Sequence, residues 1–198
     1  MSMPVTTYQC TACDYRSWDA ATWGYRYYLY SESKVRMAVT LGWCHLCNGL
    51  SAVEVLPTAL GEADLQQQLD ALCIALQEEL TDSSPKRRWW QLHARKGIKQ
   101  IRLESEIKSA EEDLATYRLR RAALSKRTSQ GRCMRCSSEE WAPLPHHEKD
   151  YFDMASTPKP IGFTHPGCGG ELVTICDGTR LNVMLTDKAY NLEGQLLP

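Results

Sequence analysis

Residues 163–172 read Phe-Thr-His-Pro-Gly-Cys-Gly-Gly-Glu-Leu. His165 stands three residues before Cys168, the spacing of a metal-binding knuckle, with a histidine where the first cysteine of such a pair is expected. Three complete Cys-x-x-Cys pairs lie upstream: Cys10/Cys13, Cys44/Cys47 and Cys133/Cys136. The two glycines after Cys168 suit a knuckle, because glycine reaches the positive φ angles that its turn requires.

A tetrahedral Zn²⁺ takes four soft or borderline ligands. One knuckle supplies two, so two knuckles close a site. Paired in sequence order, Cys10, Cys13, Cys44 and Cys47 make one four-cysteine site with nothing left over. Cys133, Cys136 and Cys168 then belong to a second, whose fourth ligand is His165, Cys176, or one of His146 and His147. Knuckle spacing favours His165. Cys176 lies eight residues after Cys168, on the outgoing strand. A site closed by four protein ligands keeps no position for a substrate water, so both are expected to be structural. His45, between Cys44 and Cys47, reads as an exposed knuckle residue. The other ring nitrogen of His165 is expected to be held by a backbone carbonyl.

Both terminal segments resemble zinc ribbons: a Cys-x-x-Cys knuckle, strands, and a second knuckle running into a Cys-Gly-Gly-Glu-Leu strand. The resemblance covers about the first and last quarters of the chain. It implies a structural metal and a nucleic-acid- or protein-binding scaffold, with no particular reaction. The order Cys133-x-x-Cys136, His146-His147, later knuckle is also similar to the layout of HNH nucleases. That likeness implies His147 as general base, with Glu148, Asp150 or Asp153 near a divalent metal. Three features depart from it. No asparagine follows at a suitable place, the residues after Cys168 favour a strand where that family needs a helix, and the His146-His147 stretch is a proline-flanked polar loop.

The 198 residues are 43% hydrophobic and 24% charged, with a formal net charge of −1, as in a globular protein. No apolar run approaches the roughly 18 residues of a membrane span. The first residues lack a charged and then apolar leader pattern, which predicts a cytoplasmic protein without a membrane partner. Disulfides are rare in that compartment, so nine cysteines point to metal or redox chemistry. None of the pairs sits in a βαβ pattern, which counts against a thioredoxin-like role.

Three segments are expected: 1–57 as an N-terminal zinc ribbon, 58–130 as a helical hairpin or coiled coil, and 131–198 as a C-terminal zinc ribbon. The fold class is then α+β, two small ribbons joined by a long antiparallel helical hairpin. In the first segment, Trp23–Tyr30 and Lys34–Trp43 are aromatic and β-branched around a polar Ser-Glu-Ser-Lys turn, which predicts two paired strands. In the second, Leu65, Leu69, Leu72, Leu76 and Leu80 step along one helix face. Cys73 reads as a buried thiol on that helix. A second helix is expected from Ser84 to about Lys126, weakened at Gly97 and about 60 Å long. That is twice the reach of the first helix, so a second copy of the chain or a protein partner would cover the rest. In the third, Thr179–Leu185 and Asn191–Leu197 suggest a short hairpin.

From Lys86 to Arg102 the chain carries seven Lys/Arg and no Asp/Glu. Arg88, Arg95, Lys99 and Arg102 share one helical face and are the candidate contacts to DNA or RNA. A solvated, self-paired face or an acidic protein partner are the competing readings. Tyr25, Tyr27, Tyr28 and Tyr30, with Trp18, Trp23 and Trp43, are expected to pack a small ribbon core rather than to stack on bases. The function expected is a non-enzymatic scaffold or adaptor with two structural Zn²⁺ ions, contacting a macromolecule. An HNH-like nuclease using His146/His147 is the alternative.

Overall fold

The computed structural model describes residues 2–82, 97–145, 147, 157–182 and 185–198. Twelve short strands and two helices follow in chain order. They are β1 (Ser2–Pro4), β2 (Thr7–Cys10), β3 (Arg16–Trp18), β4 (Arg26–Tyr30), β5 (Ser33–Arg36), β6 (Val39–Cys44), β7 (Gly49–Glu54), α1 (Ala59–Asp82), α2 (Ile98–Ala123), β8 (Trp141–Pro143), β9 (Lys159–Thr164), β10 (Glu171–Ile175), β11 (Arg180–Asn182) and β12 (Lys188–Tyr190). Among the described residues no helix is long and apolar enough to cross a membrane.

The chain divides into two compact units, not three: Met1–Leu56 with Lys126–Pro198, and Pro57–Ser125. The two terminal segments therefore do not fold as separate modules. They interleave through antiparallel strand pairs that join the ends of the chain. β2 pairs with β10, Cys10 opposite Leu172 and Thr7 opposite Ile175, giving a sheet ordered β3-β2-β10-β9. β6 lies between β7 and β8 in a second sheet, with Cys44 opposite Trp141. A third sheet, β12-β4-β5, pairs β12 with β4 in parallel, and β1 pairs with β11.

These pairings revise two expectations. Lys34–Trp43 forms β5 and β6 rather than one strand. Thr179–Leu185 and Asn191–Leu197 do not form a hairpin, since β11 is taken up by β1 while Leu197 N donates back to Ala189 O at 2.9 Å. The Ser-Glu-Ser-Lys turn is as expected: Ser31 and Glu32 take φ of 45° and 64°, the two left-handed residues of a tight hairpin loop.

One core fills the space between the first two sheets. Tyr8 (β2), Leu41 and Trp43 (β6), Leu50 (β7), Ile161 (β9) and Leu172 (β10) are all buried together. Full burial of a large side chain contributes roughly 1.5–3 kcal/mol, so this cluster ties the sheets together. Of the aromatic residues expected to pack the core, Tyr28 and Trp43 are buried and Trp23 and Tyr27 half-buried, while Trp18, Tyr25 and Tyr30 stay exposed.

The second unit is an antiparallel helix pair, shown by its cross-links. At the start of α1, Glu62 meets Arg118 at 2.9 Å and Arg121 at 2.5 Å near the end of α2. At the other end Glu79 meets Lys99 at 2.6 Å. Acid in the first turn of one helix and base in the last turn of the other also complement both macrodipoles. Tyr117 seals the end by accepting from Thr58 N at 2.7 Å and donating to Thr58 O at 3.1 Å. Leu65, Leu69, Leu72 and Leu76 form the half-buried stripe of α1, but Cys73 is exposed, one position off that stripe.

Gly97 is extended and caps the start of α2, so it ends the helix where a kink was expected. With 24 and 26 residues the helices match in length, about 36 and 39 Å. The mismatch that called for a second copy is absent among the described residues. The expected start at Ser84 lies outside them.

Candidate metal centres

Each knuckle is a local structure: the two ligands sit three residues apart while backbone N–H groups turn toward the first. Cys47 N points to Cys44 Sγ at 3.4 Å, and Ala12 N to Cys10 Sγ at 3.4 Å. The residue after the second ligand is left-handed in three of the four knuckles: Asn48 at φ 47°, Ser137 at φ 62° and Gly169 at φ 75°. Gly170 is required for a different reason. A Cβ there would lie 2.6 Å from Cys10 Sγ and 2.6 Å from Ala12 Cβ, a clash with the facing knuckle.

That contact overturns the expected pairing. The four knuckles meet outer with outer and inner with inner. Cys10, Cys13, His165 and Cys168 form one donor set, the outer centre, and Cys44, Cys47, Cys133 and Cys136 the other, the inner centre. Within each, the ligand atoms all lie within 4.8 Å of one another. The physical reason is strand pairing. β2–β10 brings the first knuckle against the last. The inner set closes because Cys133 bridges to Val53 at the edge of β7 and Met134 N donates to Ala52 O at 2.9 Å.

The spacing suits a tetrahedral ion. A metal–sulfur distance of about 2.3 Å implies ligand separations of about 3.8 Å. The sulfurs of Cys10 and Cys168 are 3.3 Å apart, those of Cys44 and Cys136 3.5 Å, and those of Cys47 and Cys133 3.9 Å. His165 Nδ1 lies 3.1 Å from Cys168 Sγ and 3.4 Å from Cys13 Sγ. All nine cysteines are unbridged. Both sets could therefore hold a metal ion.

The ligand candidates left open in the second knuckle pair now separate. His165 belongs to a donor set, whereas Cys176 belongs to neither. His146 lies outside the described residues. His147 is held elsewhere: Nδ1 faces Pro145 O at 2.8 Å and Nε2 faces the Tyr8 hydroxyl at 2.8 Å. A carbonyl only accepts, so Nδ1 carries the proton and Nε2 accepts from Tyr8. His45 is exposed.

His165 presents Nδ1 to the sulfurs, and its Nε2 is buried without a hydrogen-bond partner. The expected backbone carbonyl is replaced by rings. His165 lies 4.9 Å from the centroid of Tyr15 and 4.9 Å from that of Trp43, edge-on to the latter. Trp43 immediately precedes Cys44, so one side chain of the inner knuckle orients a ligand of the outer one. Tyr15 does the reverse, accepting from Leu50 N at 2.9 Å.

Crowding drives the thiols of each set apart in acidity. In the outer centre burial would raise the Cys10 thiol, but hydrogen bonds from the Ala12 backbone and from its thiol neighbours outweigh it and draw it down. In the outer centre the Gly170 backbone lowers the Cys168 thiol, but Cys10 and Cys13 outweigh it and push it up to about 11. In the inner centre burial pushes the Cys44 and Cys47 thiols up. Burial acts likewise on Cys133, yet the Arg135 and Cys136 backbone groups outweigh it and draw its thiol down. A bound dication removes the mutual repulsion and makes all of them thiolates.

Beside the inner centre lies a buried ion pair absent from the sequence reading. Arg127 grips Glu54 with two bonds, 2.6 and 2.7 Å, and their side chains are 2% and 0% exposed. The Tyr28 hydroxyl donates to the same carboxylate, as does Arg132 N at 3.1 Å. Burial would lower the Arg127 pKa, but the Glu54 bonds and charge outweigh it and raise it. The clue available in sequence was Glu54 itself, an acid inside the apolar run Leu50–Leu56.

Of the candidate nucleic-acid contacts, Arg88 and Arg95 lie outside the described residues. Lys99 is bound to Glu79, and Arg102 to Glu106 at 2.7 Å along its own helix. No family model, curated protein or solved structure matches this chain.

Proposed function

We propose that each centre holds one structural Zn²⁺ and that the chain is a non-enzymatic scaffold of two interlocked zinc ribbons, presenting its surfaces to a macromolecular partner. The observation that carries this is the closure of both donor sets at four protein ligands, three thiols with an imidazole and four thiols. Thiolate-rich tetrahedral sets of this kind select zinc or iron–sulfur chemistry, and a mononuclear site closed by its protein ligands is structural. A reducing cytoplasm suits nine unbridged cysteines.

The engagement of both His147 nitrogens supports the non-enzymatic reading, because a general base needs a nitrogen directed at its substrate. The ion pairs of Lys99 and Arg102 support a self-paired helical face over a phosphate-tracking one. The test is metal analysis of freshly purified protein with a nuclease assay alongside. Two zinc per chain and no Mg²⁺- or Mn²⁺-dependent cleavage are expected. Iron, fewer than two zinc, or cleavage abolished by His147→Ala would overturn the reading.

A further inference from the structure

The β4–β5 hairpin has two unlike faces. Arg26, Tyr28 and Val35 point inward and are buried. The other face carries Tyr25, Tyr27 and Leu29 along one edge and Lys34 and Arg36 along the other. Cross-strand pairing sets Arg36 opposite Tyr27 and Lys34 opposite Leu29. Tyr25 is 48% and Leu29 44% exposed. Tyr27 between them is half-buried, and an aromatic strip left at the surface in this way offers a face to a ligand.

The geometry points to single-stranded nucleic acid, which we propose as the ligand of this face. The Tyr25 and Tyr27 rings lie 24° from parallel with centroids 6.4 Å apart. That is close to twice the rise of about 3.4 Å per nucleotide in a stacked strand, so the two rings can take alternate bases of a stacked strand or successive bases of an extended one. Base–tyrosine stacking is tolerant of sequence, since every base has a π face.

The charges fit as well. The Arg36 guanidinium stands over the Tyr25 ring at 5.8 Å and the Lys34 ammonium over Tyr27 at 5.5 Å. Both distances are near the outer limit of ring–cation attraction, about 6 Å, so a phosphate can draw the cations off at little cost. Within residues 25–36 the one acidic residue is Glu32, in the turn at the far end. A duplex is disfavoured, because its bases are already stacked and offer no face to a tyrosine. An acidic peptide would satisfy the cations but leave the tyrosine row unused.

This rests on the scaffold reading and specifies its partner. The test is fluorescence anisotropy with a labelled 15-mer of deoxythymidine or uridine, on full-length zinc-loaded protein, over a salt series. Saturable binding that weakens with salt is expected, with the matching duplex binding far more weakly. Tyr25→Ala and Tyr27→Ala should each weaken binding about tenfold. Lys34→Ala with Arg36→Ala should reduce the salt slope by about 1.4. Tyr25, Lys34 and Arg36 are exposed and Tyr27 half-buried, and none belongs to a donor set, so zinc content and circular dichroism report whether each variant is folded. No binding by folded protein with two zinc, binding unmoved by the tyrosine changes, or an acidic peptide competing with equal strength would overturn this inference and leave the zinc reading standing. Loss of zinc in the parent protein would instead overturn the scaffold reading.

Discussion

The two centres share a ligand chemistry but not an environment. In the inner centre Cys44 and Cys133 are fully buried, and the neighbouring ion pair Glu54–Arg127 is also out of solvent. In the outer centre Cys13 and Cys168 are exposed, and the neighbouring pair, Arg16–Asp177 at 2.5 Å, is 46% and 26% exposed. In sequence, the helical hairpin lies between the two knuckles of the inner centre. The outer one joins the first strands of the chain to the last. Similar donor sets therefore have different tasks. Burial makes one a cornerstone of the core, while exposure makes the other a clasp on the chain ends.

Several substitutions can break this contrast. Cys133→Ser carries the largest expected effect. A structural zinc contributes about 10–16 kcal/mol of apparent binding energy, more than the roughly 5–15 kcal/mol by which a domain is stable. Loss of a fully buried ligand should release the inner zinc and unfold the strand-rich unit, read as loss of zinc and of strand circular dichroism. Survival of that unit with one zinc would show that the outer centre suffices alone.

His165→Ala should be milder. One zinc per chain is expected to remain, with chelator-accessible release from the outer centre only, while Trp43 fluorescence reports the loosened ring contact. His165→Cys should restore two zinc by rebuilding a four-thiol set. Loss of both ions in His165→Ala would erase the difference between the centres.

Glu54→Ala tests the buried neighbour of the inner centre. It strands the Arg127 guanidinium, at a cost of about 3–5 kcal/mol, visible as a lower denaturant midpoint at unchanged zinc content. Replacing both partners with apolar residues should recover much of that loss.

The smallest effect is expected at Asp177. Burial raises its pKa, but hydrogen bonds from Thr179 and the Arg16 charge outweigh it and hold the carboxyl below the usual range. A lowered folded pKa means that the stabilisation is present above the unfolded value, near pH 4, and is lost as pH falls through the folded one. Because the pair is partly exposed, Asp177→Asn should cost about 0.5–1 kcal/mol at pH 7. The gap to the parent should close in acid. An undiminished gap at pH 3 would mean that shape rather than charge holds this corner.

Much of the metal chemistry was legible in the sequence, and the reasons are local. A knuckle is a four-residue turn with its ligands at i and i+3, so Cys10/Cys13, Cys44/Cys47, Cys133/Cys136 and His165/Cys168 announce themselves by spacing. The Leu65–Leu76 stripe was readable by the same logic, since a helix face is also a short-range pattern. Cys73 shows the limit of that logic: one residue of phase, a 100° turn on a helix, separates a buried thiol from an exposed one. The Glu54–Arg127 pair was not readable as a pair, because its partners lie 73 residues apart, and Glu54 stood out only as an acid inside an apolar run.

The decisive case is the pairing of knuckles. Four knuckles can close two sites in three ways, and spacing does not choose among them. Sequence order favours neighbours, but two hairpins share an ion only if their strands run together, and that depends on register between distant segments. By itself the sequence marked which side chains are candidate metal ligands, because knuckle geometry is built within a single turn. Only the tertiary structure decided which knuckles come together in one donor set, because β2 lies against β10 and Cys133 against β7, and those long-range strand contacts carry the ends of the chain into one folded unit.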